Sequence, residues 1–355
     1  TGSDLDGASL TGANLTNVRL NCIYENELIL TDDREKARCA SARGAHFKDA
    51  RMNGATMNGI DLRDADLREA QLEGAALKYA WLAGASFSYA NLQKAVITGG
   101  AQAQGTDFSV ARLEGADLTG AQLQYADLSS AFMQGVTLEH AHLQGANLRD
   151  ADLDSAYMRL VRLQRAELTG ANLTGADIRQ AHIWMTRPPK SVNLRLADMR
   201  DIKVRPLSEP ERIELADIIR KVAHPGLQQR VRESVGELLD VTRSVSWQPT
   251  NNAKIWMSLQ EIQRPGIVND YRAELTEHVE KLACKARWAN GAVATGIVRR
   301  ALTSEANFEA DMASLYTRLG QENGCPGGKK LPAEMMSSLE TAVEAISDGP
   351  SAVAQ

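Results

Sequence analysis

The sequence predicts a four-sided β-solenoid over its first half, followed by an all-α region, and three observations lead there. Large apolar residues recur every five positions from Leu5 to Ile183. A small residue, usually Ala, stands two places before each of them. Beyond about residue 205 the apolar period changes to the 3.6 of an α-helix.

The five-residue series runs Leu5 to Leu20, Phe47 to Ile97 and, after a slip of one residue, Phe108 to Ile183. It has 31 positions, of which 21 are Leu and the others Phe, Met or Ile; Ala precedes by two at 25 of them. Gly115-Ala116-Asp117-Leu118-Thr119 shows one unit. An α-helix with this pattern would turn each Leu about 140° from the last and leave no apolar face. A short extended side of a square coil satisfies it instead. The Leu and the Ala two before it point inward, and the residue between them points out. The inward pair shares a narrow bore, so one member is large and the other small. Four sides bring the chain back one strand spacing higher, which stacks Leu128 on Phe108 and beneath Leu148. Each buried Leu contributes roughly 1.5–3 kcal/mol, and an open coil end needs a cap.

This Ala-[Asp/Asn]-Leu-x-x pattern, over residues 1–20 and 45–183, resembles the pentapeptide-repeat family. The resemblance implies a right-handed quadrilateral β-helix of nearly eight coils, roughly 35–40 Å long at about 4.8 Å per coil.

The rhythm breaks at Asn21 to Gly44, whose charged middle Thr31-Asp32-Asp33-Arg34-Glu35-Lys36 reads as a solvent-facing loop or short helix. Thr98 to Gly105 adds one residue and reads as a corner bulge. After Arg187-Pro188-Pro189, units at Val192-Asn193-Leu194 and Ala197-Asp198-Met199 close a partial coil. The solenoid is therefore expected over 1–204, with an inserted loop at 21–44, a helical domain over 205–347 and a disordered tail over 348–355. Ser208 and Glu211 form a capping-box start for a helix lined by Ile213, Leu215, Ile218, Ile219 and Val222. Further helices are expected near 227–244, 252–263, 269–289, 291–303, 305–320 and 332–346, separated by Gln263-Arg264-Pro265-Gly266 and Asn323-Gly324-Cys325-Pro326-Gly327-Gly328. About 140 residues of helix suffice for an independent domain, which would also cover the solenoid's open end.

The formal net charge is −5, with 25 acidic and 22 basic residues in 1–204 and 20 against 18 in 205–355. No apolar run approaches the length of a membrane span. The chain opens at Thr1-Gly2-Ser3, already inside the repeat and without an initiator Met, which suggests a processed or truncated protein whose earlier segment could hold an anchor. The four cysteines are Cys22, Cys39, Cys284 and Cys325, with no CxxC and no His cluster beside them. In a reducing cytosol they are four thiols; in an oxidising compartment they pair locally, Cys22 with Cys39 and Cys284 with Cys325. The region from Trp184 to Pro189 and the helices carrying Cys284 and the Cys325-Pro326-Gly327 turn resemble proteobacterial pentapeptide-repeat proteins with N-terminal membrane segments. That resemblance implies the soluble part of a bacterial, inner-membrane-associated protein, on a side it does not specify.

No catalytic residues, cofactor or metal site emerge. There is no Walker loop, GxSxG or HExxH, and His142 and His182, two coils and roughly 10 Å apart, are too distant to share a metal. Both read as surface histidines, His224 as a helix-end residue and His278 as one on a solvated face. Cys284 reads as core or cystine, not nucleophile. Outward aromatics mark a candidate interaction surface: Trp81, Phe132 and Tyr157 in the slot before a centre, and Tyr79, Tyr89 and Tyr125 at corners. The expected function is a non-catalytic protein–protein interaction scaffold, whose partner the sequence does not name; a homo-oligomer is compatible with it. A second reading, implied by gyrase-protecting members of the family, is a DNA mimic that binds a type II topoisomerase. Mimicry needs a strongly acidic rod, and Arg63, Arg68, Lys78, Arg149 and Arg179 interrupt the carboxylates. Direct nucleic-acid binding is not expected at this charge, and hydrolase activity in the helices has no motif behind it.

Overall fold

The computed structural model describes residues 3–21, 39–186, 193–222, 225–240, 251–262, 268–285, 290–303, 312–320 and 325–347. Most of the expected insertion, Cys22, the Arg187-Pro188-Pro189 break, His224 and the tail after 347 lie outside those residues.

Each five-residue unit forms one side of a four-sided coil, and one backbone ladder explains its composition. In the unit Ala126 to Ser130, the Leu128 N–H donates to the Asn147 carbonyl one coil on (2.7 Å), and the Ser130 N–H to the Arg149 carbonyl (2.8 Å). The Asp127 N–H donates back to the Thr106 carbonyl (3.0 Å), and the Ala126 N–H closes a turn onto the Leu123 carbonyl (3.1 Å). One donor, the Ser129 N–H, finds no backbone partner in this pattern; it donates to Asp127 Oδ1 at 2.9 Å. The Asp or Asn before the centre thus completes the unit, since an unpaired peptide donor is costly. The same bond recurs from Thr119 to Asp117, Thr174 to Asn172 and Arg179 to Asp177. Corners take positive φ, at Gly or at residues such as Tyr125 (60°) and Asp150 (57°).

Stacking is parallel and in register. One face reads Asp4, Ser41, Asp61, Trp81, Gln102, Gln122, His142, Arg162, His182, Lys203. Nine steps of about 4.8 Å make a rod of about 43 Å, longer than the repeat count predicts. The extra sides have unexpected centres: Ala42 and Ala103 stand where Leu is the rule, and a side through Ile202, Lys203 and Val204 follows the last unit recognised. The extra residue near Gly99 and Gly100 makes the 21-residue steps Trp81–Gln102 to Val96–Asp117. The bore is filled by Leu, Ala, Met and Phe, and the Phe87 and Phe108 rings stack at 5.2 Å.

Among the described residues the α-helices are α1 (Glu209–Lys221), α2 (Pro225–Val235), α3 (Asn251–Ile262), α4 (Val268–Ala283), α5 (Ala292–Thr303), α6 (Met312–Gly320) and α7 (Ala333–Ser347). The expected capping box opens α1, where the Ser208 N–H donates to the Glu211 carboxylate (2.6 Å). Ile213, expected to line α1, is exposed instead. Gly236 ends α2 earlier than its pattern suggests, and a short 3-10 turn, Gly236–Leu239, follows. No helix among the described residues is long and apolar enough to cross a membrane.

The helices arrange themselves around the rod in distinct groups. In α3, Trp256 and Ala253 join the bore's apolar cluster, and the Trp256 indole N–H donates to the Thr186 carbonyl (3.1 Å). This covers the end at which the sequence required a cap. Helices α4 to α7 share one apolar cluster, and α1 with α2 share another. Both groups lie along the rod's flanks. At the first, α5 presses backbone on backbone: a Cβ on Gly296 would stand 1.8 Å from the Gly135 carbonyl oxygen. Arg299 and Arg300 donate to the Gly115 and Gly175 carbonyls.

Two stability predictions follow from this packing. Leu128→Ala opens a void in a bore that cannot collapse, so chemical denaturation should show a loss of about 2–5 kcal/mol. Gly296→Val should cost about 3 kcal/mol by lifting α5 from the corner, whereas Gly320→Ala, with open space around it, should cost little. Equal thermal midpoints for the two glycine variants would refute the close seat.

Candidate interaction surface

The helices decide which parts of the solenoid remain available. On the side facing α5, the outward positions Thr137, Tyr157 and Asp177 are all buried. The opposite side differs: its column His46, Asp66, Ser86, Asp107, Asp127, Asn147, Glu167 stays part-exposed or exposed throughout, and so does the adjoining column from Arg51 through Phe132 to Asn193. These two adjoining sides form the solenoid's open face.

Its carboxylates are held by local donors. Asp66 is paired with Arg68 at 2.7 Å, and that bond holds its pKa below the usual value against a smaller opposing effect of burial. Asp107 accepts from the Ser86 hydroxyl (3.1 Å) and the Ser109 N–H (2.9 Å). Asp127 accepts from the Asn147 amide (3.0 Å), and Glu167 from the Thr169 hydroxyl. Ser86, Asn147 and the guanidinium of Arg68 break the series, so the acidic stripe is discontinuous.

The six aromatics divide. Tyr89, 63% exposed, stands at the corner where the two open sides meet, and Phe132, 42% exposed, is an outward residue of the second of them. Tyr125, 37% exposed, lies near the Arg230 guanidinium of α2 (5.7 Å). Trp81 is half-buried under the Arg63 guanidinium (4.6 Å), and the Tyr79 ring packs over Gly99. Tyr157 corrects the expectation of an outward surface residue: it is 1% exposed, roofed by the α5 side, with its hydroxyl bonded to Glu139 (3.0 Å). The cysteines sit away from this surface. Cys284 and Cys325 form a disulfide (Cα–Cα 4.3 Å) that ties the end of α4 to the turn before α7. Cys39 is disulfide-bonded as well, and its expected partner Cys22 lies outside the described residues.

Three histidines read from sequence as solvated belong instead to the helix–solenoid junctions. His142 is buried with Nε2 3.8 Å from Glu214, while Arg162 pairs with the same carboxylate at 2.8 Å. His182 Nδ1 lies 3.1 Å from Glu211, and His278 of α4 is 2.6 Å from Asp154. The solenoid column that looks exposed in a repeat-only reading is roofed by α1. Burial, aided by Arg162, drives the His142 pKa from 6.5 to about 3, and burial with Lys203 takes His182 to about 4. Burial likewise raises Glu114, whereas hydrogen bonds from Ser208 and Arg205 overcome burial and take Glu211 to about 2. No group of three or more His, Cys, Asp or Glu that could hold a metal occurs among the described residues.

The family profile described as Pentapeptide repeats matches in eight copies, over residues 1–22, 37–68, 65–99, 99–135, 133–166 and 146–184. The solenoid belongs to the pentapeptide-repeat family. Its fold is accordingly the right-handed quadrilateral β-helix, here followed by helices that the profile does not reach. Among solved structures, the chain is similar to the pentapeptide-repeat protein HetL, involved in heterocyst differentiation regulation in the cyanobacterium Nostoc sp. strain PCC 7120. Identity is 27%, over 58% of this chain and 88% of that one, with a TM-score of 0.25. It is also similar to full-length QnrB1, a plasmid-mediated fluoroquinolone resistance protein, at 13% identity over 62% and 95% of the two chains (TM-score 0.21). A pentapeptide-repeat protein of the Arabidopsis thaliana thylakoid lumen matches at 29% identity over 32% and 74% (TM-score 0.18). No curated protein matches the chain significantly.

The two depressed histidines give a pH prediction. Their folded pKa values lie below 6.5, so the unfolded chain binds protons that the folded chain refuses. Their contribution is fully present above pH 6.5 and is lost as pH falls toward about 4 for His182 and about 3 for His142. Between pH 6.5 and 5, before most carboxylates titrate, each should lower stability by up to about 1.4 kcal/mol per pH unit. His142→Gln with His182→Gln should flatten that slope in urea titrations at stepped pH; a slope identical to the parent's would contradict the burial argument.

Proposed function

We propose that the protein is a non-catalytic interaction scaffold, in which the pentapeptide-repeat solenoid holds its open face rigid for a protein partner. The observation that carries this reading is the asymmetry of the cover: helices bury outward residues on the sides of His142 and of Thr137, Tyr157 and Asp177, while the two adjoining sides that meet at Tyr89, from His46 to Glu167 and from Arg51 through Phe132 to Asn193, keep every outward residue at least part-exposed. The backbone behind that face is cross-bonded at every level, so little conformational entropy is lost when a partner settles on it. Exposed aromatics beside hydrogen-bonded carboxylates suit a partner with apolar and basic side chains. The bore is packed with Leu and Ala and offers no space for a substrate. Imitation of duplex DNA is not the reading adopted, because Arg68 neutralises Asp66 and Ser86 and Asn147 interrupt the charge. The paired Cys39, Cys284 and Cys325 favour an oxidising compartment. Together with the resemblance to bacterial membrane-attached proteins, this supports a place on the periplasmic side of an inner membrane.

The test is a triple replacement on the open edge, Tyr89→Ala, Asp127→Arg and Phe132→Ala, which touches no bore residue. Partners captured by the parent in chemical cross-linking should be lost at least tenfold, with an unchanged circular dichroism spectrum, as expected for removal of aromatic anchors worth about 1–2 kcal/mol each. Undiminished capture by the folded variant would reject the open face as the binding surface.

A further inference from the structure

We propose that α1 and α2 form a releasable strap, docked reversibly on a polar column of the solenoid, while the α4–α7 group stays seated. The strap's apolar residues are Leu215, Ile219, Val222, Leu227, Val231 and Val235, a cluster separate from that of α4–α7. On the solenoid it reaches Ala83 at one end and Trp184 at the other. The four residues between them in that column, at one-coil steps, are Gln104, Gln124, Gln144 and Gln164. The contacts place α2 along this column. A Cβ on Gly105 would meet Leu227 at 2.2 Å, and one on Gly145 would meet Ser234 and Val235. Leu227 to Val235 spans about 12 Å of helix, and Gly105 to Gly145 about 9.6 Å of rod, so the helix runs roughly along the axis.

The chemistry of the two surfaces is mismatched. All four Gln side chains are buried, and the Oε1 of each has no hydrogen-bond partner. A buried carbonyl oxygen without a donor is penalised in the docked state and regains water when the strap lifts. A permanent interface would be expected to carry apolar residues here, as the ends of the same column do at Ala83 and Trp184. The charged links at the strap's margin include the ion pairs Arg162–Glu214 and Arg165–Glu237, and Glu211 also faces the neutral imidazole of His182. Two of those carboxylates, Glu214 and Glu237, are about half exposed, where ion pairs contribute little.

The other group has orphaned atoms in its seat too, at Glu114, Gln134 and Thr137. Its attachment nevertheless differs in kind. Gly296 lies in backbone contact with Gly115 and Gly135, Arg299 and Arg300 bond solenoid carbonyls, Lys94 reaches the Asn290 carbonyl, and a disulfide ties the group internally. Lifting α5 breaks these together; lifting α2 returns four amide oxygens to water. Release of the strap uncovers the Gln column and the strap's own apolar stripe, so the docked state conceals two surfaces at once.

Hydrogen exchange read by mass spectrometry on the whole chain tests this. Amides of α2 should exchange through a local opening, at least about tenfold faster than those of α5 after correction for intrinsic rates. Gln124→Leu with Gln144→Leu replaces two orphaned carbonyl oxygens beneath α2 by apolar groups, at the loss of the Gln124 Nε2 bond to Gln122 (3.0 Å). It should slow α2 exchange about tenfold and leave α5 unchanged. A Gly145→Cys, Ser234→Cys pair, whose Cβ of Gly145 would lie 3.5 Å from that of Ser234, provides a covalent clamp. Its oxidised form should abolish the local opening relative to the oxidised parent. The strap is refuted if α2 and α5 exchange only together, or if neither the Leu pair nor the clamp slows α2.

Discussion

A peptide N–H taken out of water must find an acceptor, and the solenoid is organised around meeting that demand five residues at a time. Four of the five donors in a unit go to backbone carbonyls, three of them on neighbouring coils and one across the turn. The fifth goes to the side chain of the Asp or Asn before the centre. The inward pair then has only the bore left to fill, and a narrow bore admits one large and one small side chain per side. Composition, period and stacking are consequences of the same accounting. So is rigidity, since a single side cannot move without breaking bonds to the coils above and below it.

The helices use this rod as a wall and close it with three different kinds of contact. Trp256 plugs the bore's end with apolar surface and one hydrogen bond. At the Gly115–Gly135 corner, α5 gains close van der Waals contact that any side chain larger than hydrogen would prevent. Along the Gln104–Gln164 column, α2 lays an apolar stripe on amides that it cannot satisfy. Attachment therefore varies in strength around the circumference. Among the described residues, the two adjoining sides left between these contacts keep every outward residue at least part-exposed.

Much of this was legible in the amino-acid order, and the misses have common causes. Ala42 and Ala103 escaped recognition as centres because Ala carries no size signal, and only the ladder on either side shows that they occupy the Leu position. The side at Ile202 to Val204 was missed because Val stands at its centre and Ile in its small position, so neither member of the inward pair carries the usual size signal. Tyr157, His142, His182 and His278 were read as solvated, since repeat phase says which way a side chain points and nothing about what stands opposite. The cysteines were left between thiols and local cystines, because spacing alone cannot report the 4.3 Å that separates the Cα atoms of Cys284 and Cys325.

By itself, then, the sequence determined the square coil, its inward and outward positions and the presence of helices after residue 205. Those properties follow from local periodicity, and each unit repeats the evidence of the one before. Tertiary structure decided which flanks the helices cover, which aromatics remain exposed, and that three histidines face carboxylates in the junctions. These outcomes depend on contacts between residues tens to two hundred positions apart, from Asn290 to Lys94 or His278 to Asp154. No period in the chain encodes them; they arise where two finished surfaces meet.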